Sequence, residues 1–452
     1  MTITARTRTA AMRTAALLVA LTMMAAACGR SDDKSSDTTT TTAGSGGTAE
    51  AAALIDPSKD CTDYQGTQGV NGDTIKIGTV RPATGNYAIY DQVTTGLDAY
   101  VNAANAAGGV KAGDGKTYKL ELVKEDDGYD PAKTPALVKK LVEQDKVFAL
   151  VGDIGTETNL AVRDYLNEKC VPNIALATGS TEWGNNKQYP WYQSGLPSYA
   201  AEAHAWVEYL KKANPTAKIA LLYQDDDFGK AYQAAIKKAI KGTDITIVDE
   251  QSFNPLSGTT TEAAVTTLSQ SGADVFIVGI GGTPCPKTLS SVPDTWKPTT
   301  IISLTCAGKT ALSLAGGKDQ GVIAAQSTYD PSDPADKTNP KVVDFATKGA
   351  AAGLSEGQIE GGISSVGWGF GALLATALGE SKTVDRATVM NDLWSLKDAD
   401  YGLVRDGVTV NTDGVKDPWL IEGFRIVERS GDTWTEKSPI TNNEGKSNSF
   451  AG

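Results

Sequence analysis

Val147-Phe148-Ala149-Leu150-Val151-Gly152 opens the stretch of sequence from which the fold can be inferred. This unbroken apolar run predicts a strand. Residues 156–169 have a helical pattern, and residues 171–177 predict the next strand. Because a strand, a helix and a strand follow in close succession, we expect a parallel sheet with right-handed crossovers.

The same alternation continues on both sides of this stretch. Upstream, the predicted elements are strands at 74–80 and 118–124 and helices at 91–107 and 131–144. Downstream of a break at 189–198 the pattern restarts, with strands at 218–223, 246–250, 275–280, 299–304 and 322–326 and helices at 198–213, 228–241 and 260–271. The last part predicts helices near 341–352, 363–378 and 386–396, then strands at 402–410 and 419–428 around a turn at 411–414. The sequence therefore predicts two α/β units.

The N-terminus has the features of an export signal. Arg6, Arg8 and Arg13 precede an apolar run that is too short to be taken as a membrane span. The segment Ala25-Ala26-Ala27-Cys28-Gly29 resembles a bacterial lipobox, which implies removal of residues 1–27 and acylation of Cys28. An ordinary signal peptide is the alternative. Residues 28–70 are expected to form a tether and lead segment, because 31–53 consists largely of Ser, Thr, Asp, Gly and Ala. We expect the protein to lie outside the cytoplasm, anchored to a membrane through the acylated Cys28.

Charge and motifs exclude several classes of function. The net charge is −12 and no basic run occurs, which argues against nucleic acid and against an anionic membrane surface as partners. His204 is the only histidine, and the sequence predicts neither a metal site nor a cofactor. Gly367-Trp368-Gly369-Phe370-Gly371 lacks the full dinucleotide fingerprint, and no Gly-x-Ser-x-Gly element is present. We therefore expect a protein that is not an enzyme.

Four cysteines remain besides Cys28. An even number in an exported chain favours disulfide bonds, for which three pairings are possible. We favour Cys61–Cys170, which would tie the lead segment to the main body, and Cys285–Cys306, which would join two neighbouring loops. Four buried thiols are the alternative.

A set of motifs in a fixed order runs from about residue 73 to 430 and comprises Ile75-Lys76-Ile77-Gly78, Thr84-Gly85, Gly96, Gly108-Gly109-Val110, Asp126-Asp127-Gly128-Tyr129-Asp130-Pro131, Leu141-Val142-Glu143-Gln144-Asp145-Lys146-Val147, Gly152-Asp153-Ile154-Gly155-Thr156, Val171-Pro172-Asn173 and Tyr223-Gln224-Asp225-Asp226-Asp227-Phe228-Gly229. This ordered set resembles the type I periplasmic binding proteins, in particular the branch that binds leucine, isoleucine and valine.

The resemblance implies two doubly wound parallel-sheet lobes that are joined by three crossovers. Lobe 1 would comprise residues 71–192 and 327–400, and lobe 2 residues 193–326 and 401–440, followed by a tail at 441–452. The third crossover is expected near 398–402. The resemblance also implies a monomer that captures a small ligand for an ABC permease and its ATPase subunits. A ligand-sensing receptor lobe is the alternative.

The ligand should lie outside the carboxyl ends of the strands, where open parallel sheets bind their ligands. The resemblance implies that Gly155 and Thr156 hold a carboxylate at a helix N-terminus, that the loop with Thr178 and Ser180 adds polar groups, and that Phe228 covers the ligand. Further candidates are two aromatic walls and one lobe 2 loop, namely Tyr87, Tyr90, Gly282 and Thr283. Thr156 could instead act only as a helix cap, and the aromatic residues could act only in packing.

One loop departs from the pattern of amino-acid binders. In that branch an acidic residue in the last lobe 2 loop holds the ligand's ammonium, but Leu304-Thr305-Cys306-Ala307-Gly308-Lys309 contains none. A buried ammonium without a counter-charge is costly, so the sequence puts a standard amino acid in doubt. Asp226, Asp227 and Glu182 are the possible substitutes. Amino acids, amides and small organic acids all remain candidate ligands.

Overall fold

The first half of the chain forms one seven-stranded sheet with helices on both faces. The computed structural model describes residues 53–257, 260–414 and 416–452. The strands of this sheet are β1 (Val70–Asn71), β2 (Thr74–Arg81), β3 (Val110–Lys111), β4 (Thr117–Asp126), β5 (Ala149–Val151), β6 (Asn173–Leu176) and β7 (Tyr192–Ser194). The helices between them are α1 (Pro57–Asp60), α2 (Asp91–Ala106), α3 (Thr134–Glu143) and α4 (Thr156–Glu168). The strand order is β3-β4-β2-β5-β6-β7 with β1 paired to β2, and the pairs from β4 to β7 are parallel.

A second seven-stranded sheet follows, with the order β14-β13-β12-β11-β10-β8-β9. Its parallel strands are β8 (Lys218–Gln224), β9 (Thr246–Phe253), β10 (Val275–Gly279), β11 (Thr299–Ile302) and β12 (Ile323–Gln326). The accompanying helices are α5 (Tyr199–Ala213), α6 (Asp227–Ala239), α7 (Glu262–Ser269), α8 (Pro284–Ser291) and α9 (Lys309–Leu312). The α/β class and the predominantly parallel sheets agree with the prediction from the sequence.

The chain then returns to the first sheet before it ends on the second. Helices α10 (Pro340–Ala351), α11 (Glu356–Glu360), α12 (Ser364–Glu380) and α13 (Arg386–Leu393) pack on the first sheet and on α2. The antiparallel strands β13 (Gly423–Ser430) and β14 (Thr433–Asn442) extend the second sheet beyond β12, and α14 (Ser447–Phe450) packs on α5. We call the first sheet, with the helices packed on it, lobe 1, and the second sheet, with its helices, lobe 2.

The predicted C-terminal strands are partly wrong. Residues 402–410 form no strand, and the hairpin lies instead at β13 and β14. The reason is conformational, because Gly402 and Gly407 have φ angles of +57° and +92°, outside the β region. Tyr401, Val404 and Trp419 are buried in the core of lobe 1, so the chain enters lobe 2 near Gly423 and not at 398–402. The tail also differs from expectation, since β14 extends into it and Phe450 stacks on His204.

Helices α2 and α12 pack unusually closely. A Cβ atom on Gly96 would lie 1.8 Å from the Ser364 carbonyl oxygen, and one on Gly367 would lie 1.7 Å from the Val93 carbonyl oxygen. The glycine-rich segment at 367–371 is therefore a helix-packing surface inside α12. This packing fixes the N-terminal end of α12, which borders the cleft between the lobes.

Two disulfide bonds link Cys61 to Cys170 and Cys285 to Cys306, which is the pairing favoured from the sequence. The first joins the segment after α1 to the end of α4, and the second joins α8 to the turn that follows β11. Within the part of the chain that the structure describes, no helix is long and apolar enough to cross a membrane. The predicted signal peptide, Cys28 and most of the tether lie outside the described residues.

Candidate functional site

A cavity lies between the lobes, at the carboxyl ends of parallel strands from both sheets. Its volume is about 110 Å³. Its walls come from the loops after β2, β4, β5 and β6 in lobe 1, from the loops after β8, β10 and β11 in lobe 2, from the segment that joins β7 to α5, and from the start of α12.

The N-terminus of α4 forms the polar part of the lobe 1 wall. Gly155 caps this helix with φ +108°, and no side chain accepts a hydrogen bond from the first-turn N–H groups at that cap. Gly155 and Thr156 both line the cavity. The Thr156 Oγ1 atom shares a 2.7 Å hydrogen bond with Thr178 Oγ1, which fixes the hydroxyl at the helix end. Free N–H groups and the helix dipole together favour an anionic oxygen at this wall.

Five aromatic side chains contribute to the remaining walls. Tyr87 stacks on Tyr129 with ring centroids 4.0 Å apart, and Tyr199 meets Phe228 edge-on at 5.1 Å. Tyr90 completes this group, and all five residues line the cavity. Burial raises the pKa of the four tyrosines above its ordinary value, so their hydroxyls stay protonated. The walls therefore offer flat apolar faces and neutral hydroxyls.

Hydrogen bonds cross the cleft and hold the lobes together around the cavity. Tyr87 Oη donates to Gln224 Oε1 over 2.8 Å, and Tyr90 Oη donates to the Thr305 carbonyl oxygen over 3.1 Å. Tyr90 Oη also accepts from the Gly282 N–H at 2.5 Å, and the Thr283 N–H donates to the Asn86 carbonyl oxygen at 3.2 Å. The structure is therefore a closed arrangement of the two lobes.

None of the described side chains that line the cavity is charged. The three acidic residues considered from the sequence lie elsewhere: Glu182 pairs with Arg163 at 3.1 Å, Asp226 caps α6, and Asp227 is an exposed residue of the first turn of that helix. No acidic group of the described chain is thus placed on the cavity wall to hold an ammonium group.

A buried carboxyl group does lie behind the lobe 2 wall. Glu202 accepts hydrogen bonds from the Leu304 N–H at 2.7 Å and from Tyr232 Oη at 2.6 Å. Burial raises its pKa to about 8. Since Leu304 lines the cavity and Glu202 does not, this carboxyl group positions the loop and does not itself form the wall.

The structure brings together only some of the predicted site residues. Tyr87, Tyr90, Gly155, Thr156 and Phe228 line the cavity. The other four stand outside the lining, namely Thr178, Ser180, Gly282 and Thr283. Thr178 supports Thr156 from behind, Ser180 is buried just before the turn Thr181–Gly184, and the backbone N–H groups of Gly282 and Thr283 join the lobes. The ligand-binding roles of all nine residues stay predictions.

Sequence reasoning missed several lining residues. Tyr129 lies within a quoted motif, but its orientation depends on a φ of +65°, which the residue type does not suggest. Tyr199 begins α5 directly after a crossover, and this position could have indicated it. Ile363 and Val366 come from α12, and no local pattern indicates that this helix reaches the cleft.

Comparison with known proteins agrees with this geometry. A family model described as periplasmic binding protein matches residues 74–417. The chain belongs to the periplasmic binding protein family. One curated relative is the Leu/Ile/Val-binding protein homolog 3 of Brucella melitensis, which is 30% identical over 207 residues, or 45% of this chain and 54% of that protein. The chain thus matches about half the length of this relative.

Solved structures show that the fold of this family extends through the chain. A branched-chain amino acid ABC transporter protein from Thermus thermophilus with bound valine aligns with a TM-score of 0.73 at 19% identity, and covers 83% of this chain and 98% of its own. A solute-binding protein from R. palustris in complex with 4-hydroxybenzoate aligns with a TM-score of 0.68 at 19% identity, and covers 82% and 98%. These likenesses establish the type I periplasmic binding protein fold.

Proposed function

We propose that this periplasmic binding protein is a lipid-anchored, extracytoplasmic capture protein that binds a small organic acid between its lobes and presents it to an ABC importer. Family membership supports solute capture, and the segment before Cys28 supports lipid anchoring. The proposal narrows the ligand classes left open by the sequence to acids with one carboxylate and an apolar body.

The observation that carries this choice is the uncharged lining of the cavity. An amino acid would bring an ammonium group into a site where no described side chain can neutralise it. Desolvating an unpaired charge costs several kcal/mol or more. A ligand with a carboxylate and no ammonium avoids this cost.

The carboxylate is expected at the N-terminus of α4. Gly155 and Thr156 expose the uncapped end of a helix of 13 residues to the cavity. An anion at such an end gains typically 0.3–1 kcal/mol from the helix dipole, in addition to its hydrogen bonds. The aromatic walls would then cover the apolar body of the ligand.

The fold by itself does not choose between ligand classes. Among the similar structures, one holds valine and another holds 4-hydroxybenzoate. The choice of ligand class must therefore depend on the residues of the cavity wall, and in this chain those residues favour an organic acid.

Native mass spectrometry of the soluble chain, before and after unfolding, tests which ligand co-purifies. Calorimetry should then show that benzoate or hexanoate binds at least a hundredfold more tightly than valine. An amino acid as the co-purified ligand, or tighter binding of valine, would refute the proposed ligand class.

The variant Thr156→Val tests the position of the carboxylate at nearly constant volume. Loss of a hydroxyl that donates to a charged group should weaken binding of the acid by about 1.5–3 kcal/mol. Thr347→Val is the matched control, because Thr347 also lies in a helix but is exposed on α10. Equal affinities for the two variants would place the ligand elsewhere.

Lipid anchoring makes a separate prediction. Cys28→Ser should leave the chain unprocessed or free of lipid, because the thiol that is acylated would be lost. A variant that remained acylated and fractionated like the wild type would disprove anchoring at this residue and would leave the ligand proposal intact.

A further inference from the structure

A second cavity adjoins the first on the side of the crossovers. Its volume is about 130 Å³. Its walls include residues 195–197 of the first crossover, 325–331 of the second, and Tyr401, Leu403 and Ile421 of the returning segment. We call it the hinge chamber, and the cavity described above the head chamber.

The two chambers share part of their walls. Five residues line both of them: Leu196, Leu304, Gly308, Gly362 and Val366. Leu196, Leu304 and Val366 are each partly exposed, although residues around them in the sequence are buried. Apolar side chains with free surface between two cavities form a partition that a ligand can contact from either side.

Three polar side chains of the hinge chamber have partners within the protein. Gln326 Oε1 accepts from Arg425 Nη2 at 2.9 Å, and Ser365 Oγ donates to the Gly362 carbonyl oxygen at 2.7 Å. Asp330 is the charged side chain of this lining, and its two carboxylate oxygens accept from Trp434 Nε1 at 2.9 Å and from the Ser332 N–H at 2.8 Å. These three groups do not require hydrogen bonds from a ligand. Ala307, Leu403 and Ile421 add apolar surface, so the chamber suits an apolar group.

We infer that the two chambers form one site for an elongated monocarboxylate. The carboxylate lies at Gly155 and Thr156 in the head chamber, and the apolar tail passes Leu304 and Val366 into the hinge chamber. This inference rests on the proposed function, and it adds that the ligand is an acyl-chain acid longer than the head chamber can hold.

The volumes show why the second chamber matters for the length of that acid. The hinge chamber, at about 130 Å³, is at least as large as the head chamber, at about 110 Å³. An acid that fills the head chamber therefore finds as much space again beyond the shared wall.

Calorimetry with the straight-chain acids from butanoate to dodecanoate tests this inference on the soluble chain. Affinity should rise about fourfold for each methylene group that becomes buried, and the rise should continue from hexanoate to dodecanoate. A plateau or a fall between these two acids would refute the hinge chamber as part of the site.

Ala307→Leu reduces the hinge chamber without touching the head chamber, because Ala307 lines only the former. Dodecanoate should bind at least tenfold more weakly to this variant, whereas hexanoate should change less than twofold. Ala350→Leu is the matched control on the exposed face of α10 and should bind both acids like the wild type. Equal weakening of the two acids by Ala307→Leu would overturn the inference.

A second variant covers the case in which Ala307→Leu fails to fold. Gly369 lines only the hinge chamber, and a Cβ atom there would lie 3.5 Å from the nearest atom of Tyr401, which is an ordinary contact. Gly369→Ala should weaken dodecanoate several-fold and leave hexanoate unchanged, and an unchanged dodecanoate affinity would count against the inference. If hexanoate binds and longer acids gain nothing, only this inference fails. If no acid binds, the proposed ligand class fails as well.

Discussion

Gly155 occupies a backbone conformation that other residues adopt only at a cost. Its φ is +108°, and an added Cβ atom would lie 2.6 Å from Thr158 Oγ1 and 2.7 Å from Tyr129 Cε2. Gly155→Ala should therefore lower the free energy of unfolding by about 1–3 kcal/mol. It should also reduce ligand affinity at least tenfold, because relief of the clash moves the start of α4 or Tyr129. Thermal unfolding and calorimetry measure the two effects.

Gly108 provides the matched control for the cost of placing alanine in a positive-φ conformation. Its φ is +115°, yet no atom lies within 4 Å of an added Cβ. Gly108→Ala should show the conformational cost without the change in affinity. If both variants bind the acid like the wild type, the end of α4 does not contact the ligand.

At the scale of secondary-structure elements, the sequence predicted best those strands whose local pattern of apolar residues matches their burial in the sheet. The strands β5 and β8 lie in parallel sheets and were indicated by their apolar runs, and β2 was indicated by its alternating pattern. The segment 402–410 also carries apolar residues, and Val404 and Val408 are buried. The backbone of this segment is nevertheless irregular, because it contains glycines with positive φ angles. In this segment the pattern of apolar residues indicates which side chains are buried, but it does not indicate that the backbone forms the hydrogen bonds of a strand.

The site was predictable to a similar extent. The topology rule located the loops after β2, β5 and β8, and these loops supply Tyr87, Gly155 and Phe228. It could not locate the start of α12, which reaches the cleft through its close packing on α2. It also could not separate Thr156, which faces the cavity, from Thr178, which supports it, because both are buried threonines in adjacent loops.

The two disulfide bonds should have different effects. Cys285–Cys306 closes a separation of 21 residues and ends in the turn that contains Leu304 and Thr305, two residues of the cavity wall. Replacement of both cysteines by alanine should cost about 3 kcal/mol of stability and weaken ligand binding several-fold. Chemical denaturation and calorimetry measure these changes.

Cys61–Cys170 is the matched comparison, because it lies outside the cavity lining. It closes a separation of 109 residues, so its removal should cost more stability, about 4–5 kcal/mol, with affinity within twofold of the wild type. Equal losses of affinity from the two removals would show that the Cys285–Cys306 bond has no local effect on the site.

At the scale of the whole molecule, the lobes are joined by three crossovers and held closed by contacts across the cleft. Besides the hydrogen bonds of Tyr87 and Tyr90, Lys309 Nζ contacts Glu360 Oε2 at 2.9 Å across the cleft. This ion pair is partly exposed, and such pairs contribute little. Among these contacts, the closed state therefore depends mainly on the buried hydroxyls. A ligand that contacts both lobes shifts the equilibrium toward closure by its differential affinity.

Tyr90 is the residue through which this equilibrium can be tested. Its hydroxyl donates to the Thr305 carbonyl oxygen and accepts from the Gly282 N–H, so Tyr90→Phe removes two cross-cleft hydrogen bonds and leaves the ring in place. Closure should become less favourable by about 1–3 kcal/mol, with an equal loss of ligand affinity. Tyr165→Phe is the control, because the hydroxyl of Tyr165 contacts Glu143 within lobe 1. Small-angle scattering should show compaction of the wild type and of the control at saturating acid, and Tyr90→Phe should need a higher acid concentration for the same compaction. If saturation brings no compaction in the wild type, or if Tyr90→Phe and Tyr165→Phe titrate alike, closure by these contacts is wrong, whatever acid the chain binds.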